Sequence, residues 1–275
     1  MSISSPKALL TGINHRLTES RENLRSQFAE RAHGHTRVAW VDGLLDSATA
    51  EQIASRLPSL EKMVPRRSFR ECKYTSNRMN ELDPMVGQVC FALQDPDLIA
   101  QIELITGIKN LLPDPTLYAS GISAMAKGDF LSPHIDNSHD ASLSLYRRIN
   151  LLFYLTPNWT EEKGGHLQLW DPDLKTKQIY HSSFNRLVVM ETNRTSYHSV
   201  SSVLAHGPRY CVSSYLFTKE SPEEHDYYHI TSFSAPPNEL FKRAVFGIDT
   251  WLRSQVRRFK KEGIVKPELN KTGPT

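Results

Sequence analysis

The tripeptide His134-Ile135-Asp136 contains the residue types of a metal site. Residues two apart on a β-strand point to the same side of a sheet, so this segment predicts an imidazole and a carboxylate facing a common point. A second imidazole from a distant strand would complete a two-histidine, one-carboxylate triad, the set that holds ferrous iron and leaves coordination positions open. We assign that third position to His198, which stands where a strand should start. His166, His181 and His206 remain alternatives.

A buried cation is predicted at Arg209, the first residue of a strand that runs to Phe217. Alternation places the Arg209 guanidinium on the same face as apolar and aromatic side chains. An unpaired cation in such a place is costly, whereas bidentate pairing with a carboxylate supplies strong hydrogen bonds. We therefore predict that Arg209 binds a dicarboxylic co-substrate, with the protein carboxylate Glu191 as the alternative partner. On the predicted strand 148–155, Tyr154 alternates with Asn150 and is predicted as a second donor to the co-substrate, with Asn150 as a further cofactor-binding residue.

Five segments with these residues follow one another in a fixed order. They are residues 128–137 (GDFLSPHIDN), residues 147–155 (RRINLLFYL), residues 164–167 (GGHL), His198 and Arg209. This order resembles the prolyl-hydroxylase-type branch of the iron(II)- and 2-oxoglutarate-dependent dioxygenases, over roughly residues 116–218. The resemblance implies a double-stranded β-helix, iron held by His134, Asp136 and His198, and 2-oxoglutarate held by Arg209 with Tyr154. One departure is Met125, which stands where members of this branch often have a tyrosine that helps to hold the co-substrate.

The same resemblance implies an activity. The protein is expected to use Fe(II), 2-oxoglutarate and O2, with ascorbate as a reductant, and to release succinate and CO2. Hydroxylation of an aliphatic C–H bond in an amino acid, a peptidyl residue such as proline, or a small natural product is the expected outcome. Desaturation or ring formation by the same triad is one alternative, and a non-catalytic jelly-roll binding module is another. Asp136 argues against the halogenating relatives, in which a small residue replaces the carboxylate.

Short apolar or alternating segments between turn residues predict a mainly β fold with flanking helices and a jelly-roll, cupin-like core. Eight strands in about a hundred residues suit a double-sheet jelly roll. The predicted strands are residues 117–126, 132–137, 148–155, 166–171, 178–180, 187–191, 198–203 and 209–217. The loops at residues 73–80 and 137–146 are expected to form the mouth of the pocket.

Three regions are predicted along the chain: an N-terminal helical segment (1–36), a single catalytic domain (37–220) and a C-terminal helical extension (221–275). Apolar spacing predicts helices over residues 17–31, 85–93, 98–105 and 238–261, and a further helix that Asp46 or Ser47 caps. The last helix has one broad apolar face, including Phe241, Ile248 and Trp251. That face either docks on the jelly roll or forms a dimer contact, and docking is the simpler option.

Composition limits the other classes of function. The chain has 275 residues, 39% of them hydrophobic, and 33 basic residues against 30 acidic ones leave a net charge of only +3. This balance gives no support for nucleic-acid binding. Three scattered cysteines indicate a reducing compartment, and no apolar run is long enough to span a membrane. We predict a cytoplasmic monomer or homodimer with a small-molecule or peptidyl substrate and no nucleic-acid or membrane partner.

Overall fold

A computed structural model describes residues 6–30, 36–76, 78–114, 117 and 120–259. Its strands form one curled antiparallel sheet in the order β1-β9-β6-β11-β4-β3-β5-β10-β7-β8, while β2 pairs with β3 and β12 with β5. The strands are β1 (Val38–Asp42), β2 (Val64–Arg67), β3 (Glu71–Ser76), β4 (Gly121–Met125), β5 (Phe130–Ile135), β6 (Tyr146–Tyr154), β7 (Leu167–Trp170), β8 (Lys177–Tyr180), β9 (Arg186–Glu191), β10 (His198–Val200), β11 (Arg209–Thr218) and β12 (Ser232–Phe233). The predicted mainly β jelly-roll core is confirmed, and each of its eight strands overlaps one of β4 to β11.

Helices flank the sheet. They are α1 (Pro6–Glu19), α2 (Arg21–Ala29), α3 (Ser47–Ala54), α4 (Pro84–Ala92), α5 (Pro96–Thr106) and α6 (Leu240–Phe259). Aspartates cap three of them: Asp46 accepts from the Thr49 amide, and Asp83 and Asp95 each precede a proline at the first helical position. An N-terminal proline has no amide hydrogen to leave unsatisfied, so Asp-Pro is a strong start signal for a helix.

The predicted helix over residues 17–31 is wrong in its extent, because α1 and α2 break at Ser20. The break lets α2 pack on α5 and β1, while α1 packs on α4 and α5. Residues 60–83 gave no periodic signal, yet they contain β2 and β3. None of the side chains of these two strands is buried, so no apolar alternation marks them in the sequence.

Alternation along β6 and β11 separates the helical layer from the interior of the curled sheet. On β6, Leu151 and Phe153 are fully buried against the helices, while Asn150, Leu152 and Tyr154 line an interior cavity. Tyr154 lies directly opposite Cys211 of β11, which lines the same cavity. The fold therefore presents polar side chains inward from strands whose other face is core.

Helix α6 does not dock as predicted. Its apolar face is exposed in the described residues, and Phe246 on its other side is buried against Phe233 and Phe69. The side chains of residues 256–259 and all of residues 260–275, which include most of the basic run of this helix, lie outside the described part. In the described chain, Cys72, Cys90 and Cys211 form no disulfide and no helix is long and apolar enough to cross a membrane.

Candidate active site

His134, Asp136 and His198 converge on one point inside the curled sheet. His134 of β5 lies directly opposite His198 of β10, and Asp136 follows the end of β5. His134 Nε2 is 3.6 Å from one oxygen of Asp136, and His198 Nε2 is 3.7 Å from the other. The potential ligand atoms lie within 4.8 Å of one another, and no other such group of three occurs among the described residues. The two-residue spacing on β5 and the cross-strand pairing together produce this convergence.

Backbone carbonyls fix the orientation of both imidazoles. His134 Nδ1 is 2.9 Å from the carbonyl oxygen of Ser132, and His198 Nδ1 is 2.9 Å from that of Ser196. A carbonyl oxygen only accepts, so each Nδ1 carries a hydrogen, and in the neutral tautomer this leaves the Nε2 lone pair for a metal. Metal-binding histidines typically have this arrangement, because the outer hydrogen bond sets both tautomer and ring orientation. The donor set thus fits a divalent iron ion without a change of tautomer.

The charge state of the triad also suits a cation. Burial, followed by the neighbouring His198, lowers the pKa of His134 to about 3, so its imidazole is neutral near pH 7. Burial alone raises the pKa of Asp136, but Arg147 and the two imidazoles outweigh that effect and hold the pKa below its usual range. The side chain of Asn150 donates to Asp136 Oδ2 at 2.7 Å. An ionised, oriented carboxylate beside the neutral His134 imidazole suits a divalent metal ion.

Arg209 points into the same cavity, about 390 Å³ in volume, with Tyr154 and the triad in its wall. Arg209 is 3% exposed, its Nε has no hydrogen-bond partner, and its guanidinium lies 5.4 Å from the centre of the Tyr154 ring. Among the described residues, no carboxylate lies within 4.0 Å of it. The alternative partner Glu191 instead pairs with Arg37, at 2.5 and 2.7 Å. A buried cation facing a cavity without an anion fits a carboxylate ligand.

Gly165 makes room for the Arg209 side chain. It adopts a φ of +68°, and a Cβ there would lie 3.2 Å from Arg209 Cδ and 2.9 Å from Val203 Cγ2. The Gly164-Gly165 pair, which the sequence suggests only as a turn, therefore also shapes the cation site. Met125 lies opposite Arg209 on β4, and its sulfur accepts a hydrogen bond from Nη2.

The three alternative histidines lie elsewhere. His166 uses both ring nitrogens within the fold, with the Glu161 carbonyl at 2.8 Å and the Ser182 amide at 3.2 Å. His181 pairs with the Glu161 carboxylate at 3.2 Å, and His206 contacts Lys127 at the surface. The structure therefore brings His198, and none of these three, to His134 and Asp136.

Arg147 is a site residue that sequence reasoning missed. It is 2% exposed, its Nη1 lies 3.3 Å from Asp136 Oδ2, and its guanidinium lies 3.9 Å from the centre of the Tyr215 ring. Simple alternation from Leu151 places Arg147 on the helical side. The pairing of β6 with β11 shifts register there, because Leu216 pairs with Ile149 but Phe217 pairs with Arg147. Such a bulge reverses the facing of a strand, and one sequence does not reveal it.

Two missed strands complete the site. On β3, Glu71 and Lys73 form an ion pair at 2.9 Å in the cavity wall, which Thr75 and Ser76 continue. On β12, Phe233 pairs with His134 across the sheet and stacks on its ring, with centroids 5.1 Å apart. Both strands are short or polar, so neither gives a periodic signal. Of the two expected mouth loops, residues 73–76 line the cavity as a strand, and no residue of 137–146 is in its wall.

Comparison with known proteins agrees with this geometry. Residues 120–217, which hold the triad and Arg209, match the family described as the 2OG-Fe(II) oxygenase superfamily. A stretch of 72 residues is 44% identical to prolyl 3-hydroxylase OGFOD1 of Mus musculus. That match covers 24% of this chain and only 13% of the mouse protein, so it spans a small part of that relative.

Solved structures share this fold. A prolyl hydroxylase of Trichoplax adhaerens, solved with a peptide fragment of a hypoxia-inducible factor, is 15% identical and has a TM-score of 0.54. The alignment covers 76% of this chain and 92% of that one. A prolyl 4-hydroxylase of Pseudomonas putida is 16% identical with a TM-score of 0.52, over 71% of this chain and 98% of that one. At these identities the likeness establishes the double-stranded β-helix alone.

Proposed function

We propose that this protein is an iron(II)- and 2-oxoglutarate-dependent dioxygenase that hydroxylates an aliphatic C–H bond. The observation that carries the proposal is the convergence of His134, Asp136 and His198 beside a buried arginine that faces the same cavity without an anion. When bound, iron with 2-oxoglutarate and O2 supplies the oxidation, since decarboxylation of the 2-oxo acid to succinate and CO2 accompanies transfer of one oxygen to the substrate. A binding module without redox chemistry does not require three metal ligands beside a buried arginine.

Each residue has a role in this proposal. The two Nε2 atoms and the Asp136 carboxylate hold the iron, and Asn150 and Arg147 keep that carboxylate ionised and oriented. Asn150 therefore acts on the metal ligand, a different role from the co-substrate contact that the sequence suggests. Arg209 binds the far carboxylate of 2-oxoglutarate, and Tyr154, whose pKa burial raises, offers a neutral hydroxyl donor near it. The curled sheet surrounds these groups and limits access of water.

The cavity wall also supports a polar substrate. Burial opposes ionisation of Glu71, but Lys73, with help from nearby cations, keeps its pKa below the usual range, so the wall near His134 carries both charges. Thr75 and Ser76 line this cavity and also a neighbouring one of about 620 Å³, whose wall includes Lys62 and Arg78. This second space supports a substrate that extends beyond the reacting residue, such as a peptide. A cytoplasmic location stays a prediction from the cysteine usage.

Succinate release separates the enzyme from a binding module. We expect the purified chain, given Fe(II), ascorbate and labelled 2-oxoglutarate in air, to release succinate and CO2. Arg209→Ala should raise the half-saturating 2-oxoglutarate concentration about a hundredfold or more, because a buried charge-assisted pair is lost, while iron binding is unchanged. His206→Ala, at the surface, serves as the control. Absence of succinate from the iron-loaded wild-type protein would favour the binding module, and an unchanged 2-oxoglutarate requirement in the variant would reassign the anchor.

Product mass separates the possible outcomes. Free amino acids, prolyl peptides, and sugar- or lipid-linked compounds are screened for stimulation of succinate release. The molecular masses of the products are then measured by mass spectrometry. Hydroxylation adds about 16 mass units, whereas desaturation or ring formation removes about 2. Stimulation by peptides but not by free proline would support the extended substrate, and the reverse would contradict it.

A further inference from the structure

The outward side of α6 exposes a continuous set of large apolar side chains. The exposed fractions are 74% for Leu240, 85% for Phe241, 61% for Ile248, 60% for Trp251 and 52% for Leu252. Ala244 and Gly247 lie between them on the same side of the helix and are also exposed. We call these seven residues the α6 stripe. The opposite side is fixed to the domain by buried Phe246 and by the pairing of Asp249 with Arg70, at 2.7 Å.

The α6 stripe is comparable in area to one side of a protein–protein interface. A fully exposed aromatic side chain presents about 150–250 Å². With Phe241 and Trp251 mostly exposed and three large aliphatic side chains beside them, the stripe exposes roughly 600 Å². That is at the upper end of the largest apolar patch on a typical monomer, ~300–600 Å², and near the ~800 Å² that each partner buries in a standard interface. Leaving this surface in water forfeits hydrophobic stabilisation, so a partner is expected.

A second copy of the chain is a better occupant of the stripe than residues 260–275 or a membrane. Residues 260–275 contain only three large apolar residues, Ile264, Val265 and Leu269, too few to cover the stripe. A helix that lies on an anionic membrane presents available cations beside its apolar face. Here Lys242 pairs with Glu239 at 3.1 Å and Arg253 pairs with Asp249 at 2.9 Å, so exposed Arg243 is the one other cation among residues 240–255. Arg253 also donates to the carbonyl of Thr231, so it faces the domain and not the stripe.

The α6 stripe is complementary to itself. If two copies of α6 pack antiparallel across a two-fold axis between residues 247 and 248, Ile248 faces Gly247 of the other copy and Trp251 faces Ala244. Large side chains then meet small ones, as close helix packing requires. The space above Gly247 is open, since an added Cβ would find no atom within 4 Å. A two-fold interface of this kind uses the same patch on both subunits.

We propose that the α6 stripe is the interface of a symmetric homodimer formed by two antiparallel copies of α6. The inference rests on exposure, area and large-on-small complementarity, and it does not depend on the oxygenase activity. It selects the dimer contact over the docking on the jelly roll that the sequence favours.

The mass of the full-length protein in solution tests this proposal. Sedimentation equilibrium over a range of concentrations should give twice the chain mass for the wild type. Trp251→Glu and Ile248→Glu should each raise the dimer dissociation constant about a hundredfold or more, because buried anchor residues dominate interfaces. Leu204→Glu is the matched control, because Leu204 is also 61% exposed but lies outside α6. The dimer dissociation constant of this variant should equal that of the wild type. Circular dichroism and thermal melting of each variant confirm an intact fold.

Gly247→Leu distinguishes this packing from general apolar adhesion. It adds apolar surface to the stripe, which would strengthen unspecific association or membrane binding. In the proposed dimer it fills the space that Ile248 of the other copy occupies, so the dimer should weaken. A monomeric wild type, a dimer that both glutamate variants leave intact, or a tighter Gly247→Leu dimer would each overturn the proposal. Monomers that sediment with vesicles of anionic phospholipid would also overturn it and identify a membrane as the occupant.

Discussion

At the scale of single residues, the site depends on groups that orient the metal ligands and Arg209. The carbonyls of Ser132 and Ser196 fix two imidazoles, Asn150 and Arg147 hold one carboxylate, and Gly165 leaves room for one guanidinium. None of these helpers is a metal ligand. Their substitution should therefore weaken binding of iron or of 2-oxoglutarate, although every side chain that contacts these two ligands directly is still present.

Gly165→Ala should weaken 2-oxoglutarate binding. The new methyl group would press on Arg209 Cδ and Val203 Cγ2, and such overpacking costs about 1–3 kcal/mol, which corresponds to roughly 5- to 150-fold in affinity if it displaces the guanidinium. Calorimetric titration of the iron- or manganese-loaded protein with 2-oxoglutarate measures the effect. Gly207→Ala is the matched control, because Gly207 also has a positive φ, of +91°, but no atom lies near its added Cβ. Equal affinities in the two variants would mean that Gly165 does not shape the cation site.

Stability of the metal-free protein should fall as the pH drops below about 6.5. The pKa of His134 is lowered to about 3, and burial also lowers the pKa of His139, His166 and His229. Between the folded and unfolded pKa values the unfolded chain binds more protons, so acid favours unfolding by up to ~1.4 kcal/mol per pH unit for one such histidine. Urea denaturation from pH 7.5 to 4.5 measures this slope. His134→Gln should reduce the dependence of the unfolding free energy on pH, whereas His225→Gln, at an exposed histidine, should not. An unchanged pH dependence in His134→Gln would contradict the lowered pKa of His134.

At the scale of elements, the adjacent strands β5 and β10 position His134 and His198. The short strand β12 supports His134 through Phe233. Sequence alternation predicts β5 and the facing of His134 and Asp136 correctly, because apolar residues alternate with them. It cannot reveal that β10 pairs with β5, since strand order depends on contacts between distant segments. The register shift beside Arg147 and the polar strand β3 escape prediction for the same reason: their positions follow from pairing, not from periodicity.

Phe233→Ala should destabilise the protein and loosen the metal site. Phe233 is 9% exposed and lies between the His134 ring and Phe246 of α6. Removing its ring leaves a cavity, at a typical cost of about 3 kcal/mol, and leaves His134 less restrained. Denaturant unfolding and metal titration are the measurements. Phe69→Ala, which removes a half-exposed ring from the other contact of Phe246, should cost less than about 1 kcal/mol and leave metal affinity unchanged. Equal metal affinity in Phe233→Ala would show that β12 does not brace His134.

At the scale of the whole molecule, the curled sheet puts a metal-binding triad and a buried cation in one cavity, with helices on one outer face. The eight core strands, the flanking helices and the order of the site residues could all be predicted from the sequence. The unburied stripe on α6 could not, because an apolar helical face has the same pattern whether it packs inside its own domain or against another chain. The sequence favours His198 as the third ligand, and the coordinates place it, and none of its rivals, beside His134 and Asp136.

Iron stoichiometry is the most direct test of this account. Anaerobic titration of the metal-free protein with Fe(II) should give one ion per chain. His134→Ala, Asp136→Ala and His198→Ala should each weaken binding by at least about a hundredfold, since each removes one of three ligands. His181→Ala and His206→Ala, the rival histidines, should bind iron like the wild type. Full-strength binding in any triad variant, or its loss in either rival variant, would contradict the assignment of the site.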